Sequence, residues 1–598
     1  MTSLTDSTDL PQWNLADLYS APEAPELGQD LDRARTLGEN FAAAYKGKLG
    51  DIDGDTLGRA IAEYEVLSEI LYKAMSYGQL LFAADTGNAD TGRFLQTLRE
   101  KVTDISTTTL FFQLELNRLD AAVLAGQMES PAAAHYAPWV RDVRAFREHE
   151  LSDDLERLLH EKSVSGRASW VRLFDETQSA LRFPVDGAEL SMSDVLNLMS
   201  DSDAATRKKA AKSLGAVLGD NIRLFTLITN TLAKDKATED AWRKYPRPIS
   251  ERNLGNQVED AVVDALASSV RAAYPDLSHR YYRLKARWFG VDALDYWDRN
   301  APLPDDGDRT YSWDDARATV LDAYGKFDAR LAGIATDFFE KRWIDAELRP
   351  GKDSGAFSHS TVPSAHPYIL MNFHGKARDV MTLAHELGHG VHQVLSGPQG
   401  TLMADTPLTT AETASVFGEM LTFRSLLDGE ADPGRRRILL AGKVEDMLNT
   451  VVRQIAFHEF ETRVHEERAD GELASDRLGD IWMDVQRQSL GDGIRLDDDY
   501  RSFWAYIPHF VHSPFYVYAY AFGDCLVNSL YDLFAGGHLG FQTKYLDVLK
   551  AGGTRRHKEL LAPFGLDASD PEFWNRGLNM ISGFIDELEE HERGDIQK

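Results

Sequence analysis

A mainly helical protein with at least two lobes is predicted by three features of the sequence. Over most of the chain apolar residues recur three and four apart with charges between them, the spacing of amphipathic helices packed on one another. Strand-like signals are few, and the clearest lie in two short stretches. The length, 598 residues, is several times what a single hydrophobic core usually holds.

Thr56 to Leu119 is the first long helical run and Val258 to Trp288 a second. Between them Ala180 to Ser193 reads as a β-hairpin, with Leu181-Arg182-Phe183-Pro184-Val185 and Glu189-Leu190-Ser191-Met192 flanking the turn Asp186-Gly187. Acidic punctuation follows, then a fresh helical stretch from Ala204. A boundary is therefore expected between an N-terminal helical lobe, residues 1–195, and a larger domain, residues 196–598. Irregular stretches rich in Pro and Gly occur at Pro302 to Asp308 and at Arg349 to His366. The second leads into the strand-like run Tyr368-Ile369-Leu370-Met371-Asn372-Phe373 and then into a helix, Ala377 to Ser396, closed by Gly397-Pro398. A small sheet inside a helical protein accommodates both strand signals.

Composition narrows the function. Hydrophobic residues make up 43% of the chain and charged residues 27%, an ordinary balance for a folded protein. The formal charge of −30 repels phosphate backbones and anionic lipid, so neither nucleic acid nor membrane is an expected partner. Met1 to Ser7 lacks the basic and apolar regions of a secretory signal, and no stretch approaches about 18 uninterrupted apolar residues. A cytoplasmic protein is expected. Cys525 is the only cysteine and lies in an apolar, helical-looking run from Ala519 to Tyr531, where a buried inert thiol is the expectation.

The helix Ala377 to Ser396 carries the clearest chemistry, His385-Glu386-Leu387-Gly388-His389. Histidines four apart project from one face, one turn apart, where two neutral imidazole nitrogens grip a single Zn²⁺. Glu386 lies to the side, in reach of a water on that metal and not of the metal itself. Given 17 histidines in the chain, a chance match to this five-residue pattern is expected at about 0.04. Gly388 and Gly390 permit close approach of other backbone.

A catalytic zinc needs a third protein ligand and an open position. His392 shares the face of His385, but along a straight helix it stands about 10 Å away, which suits packing or support better than ligation. Glu412, at the start of a predicted helix Ala411 to Leu427, is the other candidate. Thr409 and Glu412 also have the spacing of a capping box, and periodicity does not choose between cap and ligand. Glu419, seven residues on and on the same face, is placed to orient a ligating histidine, although an acidic residue on a helix is usually just solvated. Near the C-terminus, Ser513 and Pro514 are expected to cap and start a helix. Tyr516 and Tyr520 would then share a face, with Tyr518 opposite, and His509 precedes them. Histidine and tyrosine are the neutral donors that an oxyanion needs, although interleaved aromatics also build cores.

Several stretches, in this order, resemble the thimet-oligopeptidase-like metallopeptidases and their bacterial oligoendopeptidase F branch. They are Trp13 to Tyr19, Gly355-Ala356-Phe357, His366 to Phe373, Thr382 to His389, Ala411 to Ser415, Ile507-Pro508-His509-Phe510 and Pro514 to Tyr518. The resemblance spans nearly the whole chain. It implies a two-lobed helical metallopeptidase with a deep substrate channel, one Zn²⁺ per chain, and cleavage of internal bonds of short peptides in the cytosol. It also implies Glu412 as the third ligand after His385 and His389, and His509 as a donor to the substrate carbonyl. The tyrosine spacing departs from that of the thimet-type relatives, which leaves its companion open; Tyr516 and Tyr520 are ranked ahead of Tyr518 because they share a helical face. An exopeptidase using the same zinc chemistry, and an inactive helical peptide-binding protein, are the competing expectations.

Overall fold

The computed structural model describes residues 10–163, 165–303 and 310–596; Met1 to Ser7 and most of Pro302 to Asp308 lie outside the described residues. Helices dominate and the strands are few and short. The chain divides into two compact units, each built from three separated segments. Met1–Arg147, Asp308–Gly429 and Gly537–Gly565 form the first, and Glu148–Gly307, Glu430–Gly536 and Leu566–Lys598 the second. Residue 195 falls within the second unit, on the short helix Met192–Leu198.

In the first unit the run from Thr56 resolves into three helices, of which the longest is Gly54–Ala84 (α1), capped by Asp53 accepting from the Thr56 amide. Phe41, Tyr45, Ile61, Phe112 and Trp139 form a buried aromatic and aliphatic cluster around it. Helix Trp313–Phe327 (α2) packs on the predicted helix Ala377–Ser396 (α3) and on Ser415–Gly429 (α4). Val380, Leu383, Ala384, Leu387 and Val391 give α3 its buried stripe. A three-stranded sheet lies against α3. Its central strand, Tyr368–Leu370, runs parallel to Ile344–Asp345 and antiparallel to Phe357–His359, and its three residues are fully buried. Both edges of this strand are thus filled by its neighbours.

The second unit holds the predicted hairpin, Phe183–Val185 paired with Ala188–Leu190, turned by Asp186 (φ 52°) and Gly187 (φ 84°). Positive φ at both turn residues matches the right-handed twist of the strands, and Asp-Gly is a sequence that tolerates it. Val258 to Trp288 becomes two helices, Asp260–Ala273 and Ser278–Trp288, interrupted at Tyr274-Pro275-Asp276 because proline lacks the amide hydrogen that would continue the first. Helices Val452–Asp470 (α5) and Tyr518–Ala535 (α6) complete the framework used below, with α6 packed on Pro571–Ile596. Cys525 is buried in α6, as expected, and burial pushes its thiol well up. Among the described residues no helix is long and apolar enough to cross a membrane.

Candidate metal centre

Helix α3 sets the His385 and His389 rings 5.0 Å apart, centre to centre. Glu412 reaches them from the residue that ends the one-turn helix Leu408–Ala411. Its Oε2 lies 3.3 Å from His385 Nε2 and 3.4 Å from His389 Nε2. Tetrahedral coordination with bonds of about 2.0–2.1 Å separates neighbouring ligand atoms by about 3.3 Å, so two imidazole nitrogens and a carboxylate oxygen at these spacings fit one zinc-sized ion. The three side chains remain 20–31% exposed, which leaves one side of the cluster open. Among the described residues no other group of three His, Cys, Asp or Glu converges in this way.

The backbone around Glu412 is fixed by contacts far apart in sequence. A Cβ on Gly388 would collide with the Ala414 carbonyl and the Ser415 Cα, so glycine lets α3 close onto the chain that carries Glu412. Gly390 makes room for the Phe338 ring instead of for backbone. Tyr545 donates to the Thr413 carbonyl (2.8 Å), Tyr324 of α2 donates to the Ala384 carbonyl (2.6 Å), and Ser415 Oγ donates to Glu412 Oε2 (2.6 Å). The helix expected from Ala411 begins at Ser415. Glu412 therefore does not sit in the first turn of a helix capped by Thr409, and its carboxylate turns to the imidazoles.

Electrostatics favour a cation here. Burial opposes a charged His385, yet Glu412 at Nε2 and Glu419 at Nδ1 outweigh it and push its pKa up to about 10. Burial likewise acts against the Glu412 carboxylate, and the two histidines pull it far below its usual range. Glu386 is 6% exposed; burial raises it, His385 and His389 oppose, and the Ser358 amide faces it. Ser358 is fixed by Gln393, donating its hydroxyl to the side-chain carbonyl (2.9 Å) and accepting from the side-chain amide at its own carbonyl (3.3 Å). His392 stays out of the cluster. It is 3% exposed, lies 3.3 Å from the Thr406 hydroxyl, and burial lowers it to about 4, the signature of a neutral packed ring.

In the second unit His509, Tyr516 and Tyr520 come together. His509 Nε2 lies 3.2 Å from the Tyr520 hydroxyl, and its ring is 6.1 Å from that of Tyr516, which meets Tyr520 edge-on at 5.3 Å. Burial, helped by Arg453 and His512, lowers His509 below its usual value and keeps the ring neutral. Tyr518 points into the core, fully buried, and accepts a 2.8 Å hydrogen bond from Asn256. The helix does not start at Pro514: α6 begins at Tyr518, because Phe515 takes a left-handed conformation (φ 59°). Its amide donates to the buried Glu461 carboxylate on α5 (2.9 Å). Tyr516 is thus presented by a turn. Glu461, Tyr324, Tyr545 and Ser358 escaped the sequence reading because each acts through a partner more than 25 residues away, where no local pattern records it.

The chain matches known proteins over nearly its full length. Residues 115–183 match a family described as Oligopeptidase F, and residues 197–580 match Peptidase family M3. It is 28% identical to Oligopeptidase PepF of Bacillus subtilis, over 97% of this chain and 87% of that protein. It is 26% identical to Group B oligopeptidase PepB of Streptococcus agalactiae, over 97% and 96%. In fold it resembles a solved chain from Chlamydophila abortus (TM-score 0.88, 22% identity, 98% and 100% covered) and oligoendopeptidase-F from Enterococcus faecium (0.70, 23%, 95% and 97%). The helical body with its small sheet is thus a fold shared with oligoendopeptidase F. The M3 match runs through well over half of the sequence and contains all three donors of the cluster, and on it the protein belongs to peptidase family M3, the metallopeptidases to which oligoendopeptidase F is also related.

Proposed function

We propose that this peptidase is a zinc-dependent endopeptidase of short oligopeptides, with one ion per chain held by His385, His389 and Glu412. The observation that carries the reading is the spacing of those three donor atoms beside a buried Glu386. When bound, zinc supplies a Lewis acid that polarises the scissile carbonyl and brings the pKa of water towards neutrality. Glu386, held by the Ser358 amide, takes the proton of the attacking water at its carboxylate and returns it to the leaving amine. Glu419 fixes the ring orientation of His385 through Nδ1. The family resemblance assigns to His509, with Tyr516 or Tyr520, the part of donor to the carbonyl oxygen as it gains charge. The oligopeptidase names of the relatives support short peptides as the substrate class.

A peptide of about nine residues, blocked at both ends, tests this when its products are weighed after incubation with and without a zinc chelator. Internal cleavage that the chelator stops is the expected result. Cleavage only after a terminus is freed would make the protein an exopeptidase. Intact peptide under all conditions, with zinc bound, would leave a binding protein.

A further inference from the structure

Beside the candidate metal centre, and wholly within the first unit, lies a cavity of about 690 Å³. His389 and His392 of α3 form one wall, the loop 360–367 and the turn 401–406 two others, and Tyr72 of α1 a fourth. No lysine or arginine lines it. Its two carboxylates differ in kind. Asp337 is already paired with Lys341 (2.9 Å), whereas Asp405 makes no hydrogen bond or ion pair among the described residues. Asp405 is accessible from the cavity, yet the surrounding protein withholds enough water to lift its carboxyl above the usual range. Tyr72 is 53% exposed and lines the same cavity as Asp405, whose charge adds to the burial that raises its hydroxyl.

An accessible, unpaired carboxylate in a cavity that also exposes an aromatic ring is a receptor for an organic cation. The carboxylate supplies a charge-assisted hydrogen bond and the ring face attracts the cation and covers its aliphatic stem. A bare metal ion would find too few ligands, since Asp405 belongs to no cluster of three among the described residues. His389 lines the same cavity, so whatever docks there lies next to the bond being cut. We infer that this cavity is a specificity subsite for a lysine or arginine side chain of the peptide substrate, with Asp405 countering its charge and Tyr72 flanking its stem. The inference rests on the peptidase reading above and names the substrate preference of that same site.

The test uses the full-length zinc-loaded protein and a series of doubly blocked peptides identical except for one residue. That residue is lysine, leucine or glutamate, placed in turn at each position flanking the cleaved bond. The readout is the ratio of kcat/KM for the lysine and leucine peptides, which cancels any difference in the fraction of active protein. At one position wild type is expected to favour lysine at least about tenfold, in Asp405→Asn the ratio falls to near one, and Asp405→Lys turns the preference to glutamate. No position with a lysine preference, or a preference that survives Asp405→Asn, would overturn the subsite while leaving the peptidase reading intact. Failure of wild type to cut even the leucine peptides would overturn both.

Discussion

The Nδ1 atom of His385 lies 3.2 Å from Oε2 of Glu419, while Nε2 of the same ring faces Glu412 at 3.3 Å. One carboxylate thus fixes the tautomer that the other side of the ring needs for ligation. Glu419→Ala frees the ring to rotate and to carry its hydrogen on the ligating nitrogen, and zinc affinity is expected to fall about 10–100-fold. Competition against a chromophoric chelator measures it; unchanged affinity would show that Glu419 has no orienting role.

Glu386→Gln keeps the size of the side chain and removes the base. Peptide turnover is expected to fall by about 10³-fold or more, with zinc content by elemental analysis still one per chain. Turnover within a few-fold of wild type would sink the role assigned to this residue.

Gly388→Ala puts a methyl group against the Ala414 carbonyl and the Ser415 Cα. Backbone must yield, and the segment that yields carries Glu412. A loss of about 1–3 kcal/mol in stability is expected, together with weaker zinc binding. Thermal unfolding with and without chelator separates the two effects: the stabilisation that zinc gives should shrink in the variant.

The tyrosines divide by environment. Tyr518→Phe leaves the Asn256 amide without its buried acceptor and is expected to cost about 1–3 kcal/mol of stability while sparing kcat. Tyr520 is 37% exposed and bonded to His509. Tyr520→Phe is expected to leave the melting temperature unchanged and to lower kcat about tenfold or more. The reverse pattern would exchange the two assignments.

Burial pushes the Glu461 carboxyl up to about 8, opposed by the Phe515 amide and by Arg252. The folded protein therefore holds a proton that the unfolded chain releases near the ordinary glutamate value of 4.5, and stability falls as pH rises between about 4.5 and 8. Glu461→Gln removes this slope while keeping an acceptor for the strained Phe515. Melting temperatures at pH 5, 6, 7 and 8 should show the variant gaining on wild type with each step; parallel curves would refute the linkage.

What could be read in advance follows from how local each feature is. The helix carrying His385 and His389 was legible to the residue, because its periodicity, its ligand spacing and its Gly-Pro stop all lie within one segment. Glu412 was a candidate on spacing and was chosen over a helix cap only through the family resemblance, since its direction depends on Ser415, Tyr545 and the absence of a side chain at Gly388. Residues Ser513 and Pro514 look like the start of a helix, but the start moves to Tyr518 where Phe515 turns left-handed and gives its amide to Glu461, 54 residues earlier. The strand at Tyr368 was visible as a strand, but its place in the middle of the sheet depends on Ile344 and Phe357 on either side.

The bond from Tyr545 to Thr413 has a consequence for how the protein comes into being. Tyr545 belongs to Gly537–Gly565, the third segment of the first unit, so a chain leaving the ribosome has both histidines and Glu412 outside before the residue that holds the backbone beside Glu412 emerges. The metal centre is then among the last parts of its unit to be locked. A nascent chain cut short before Tyr545 carries every ligand and lacks that clamp.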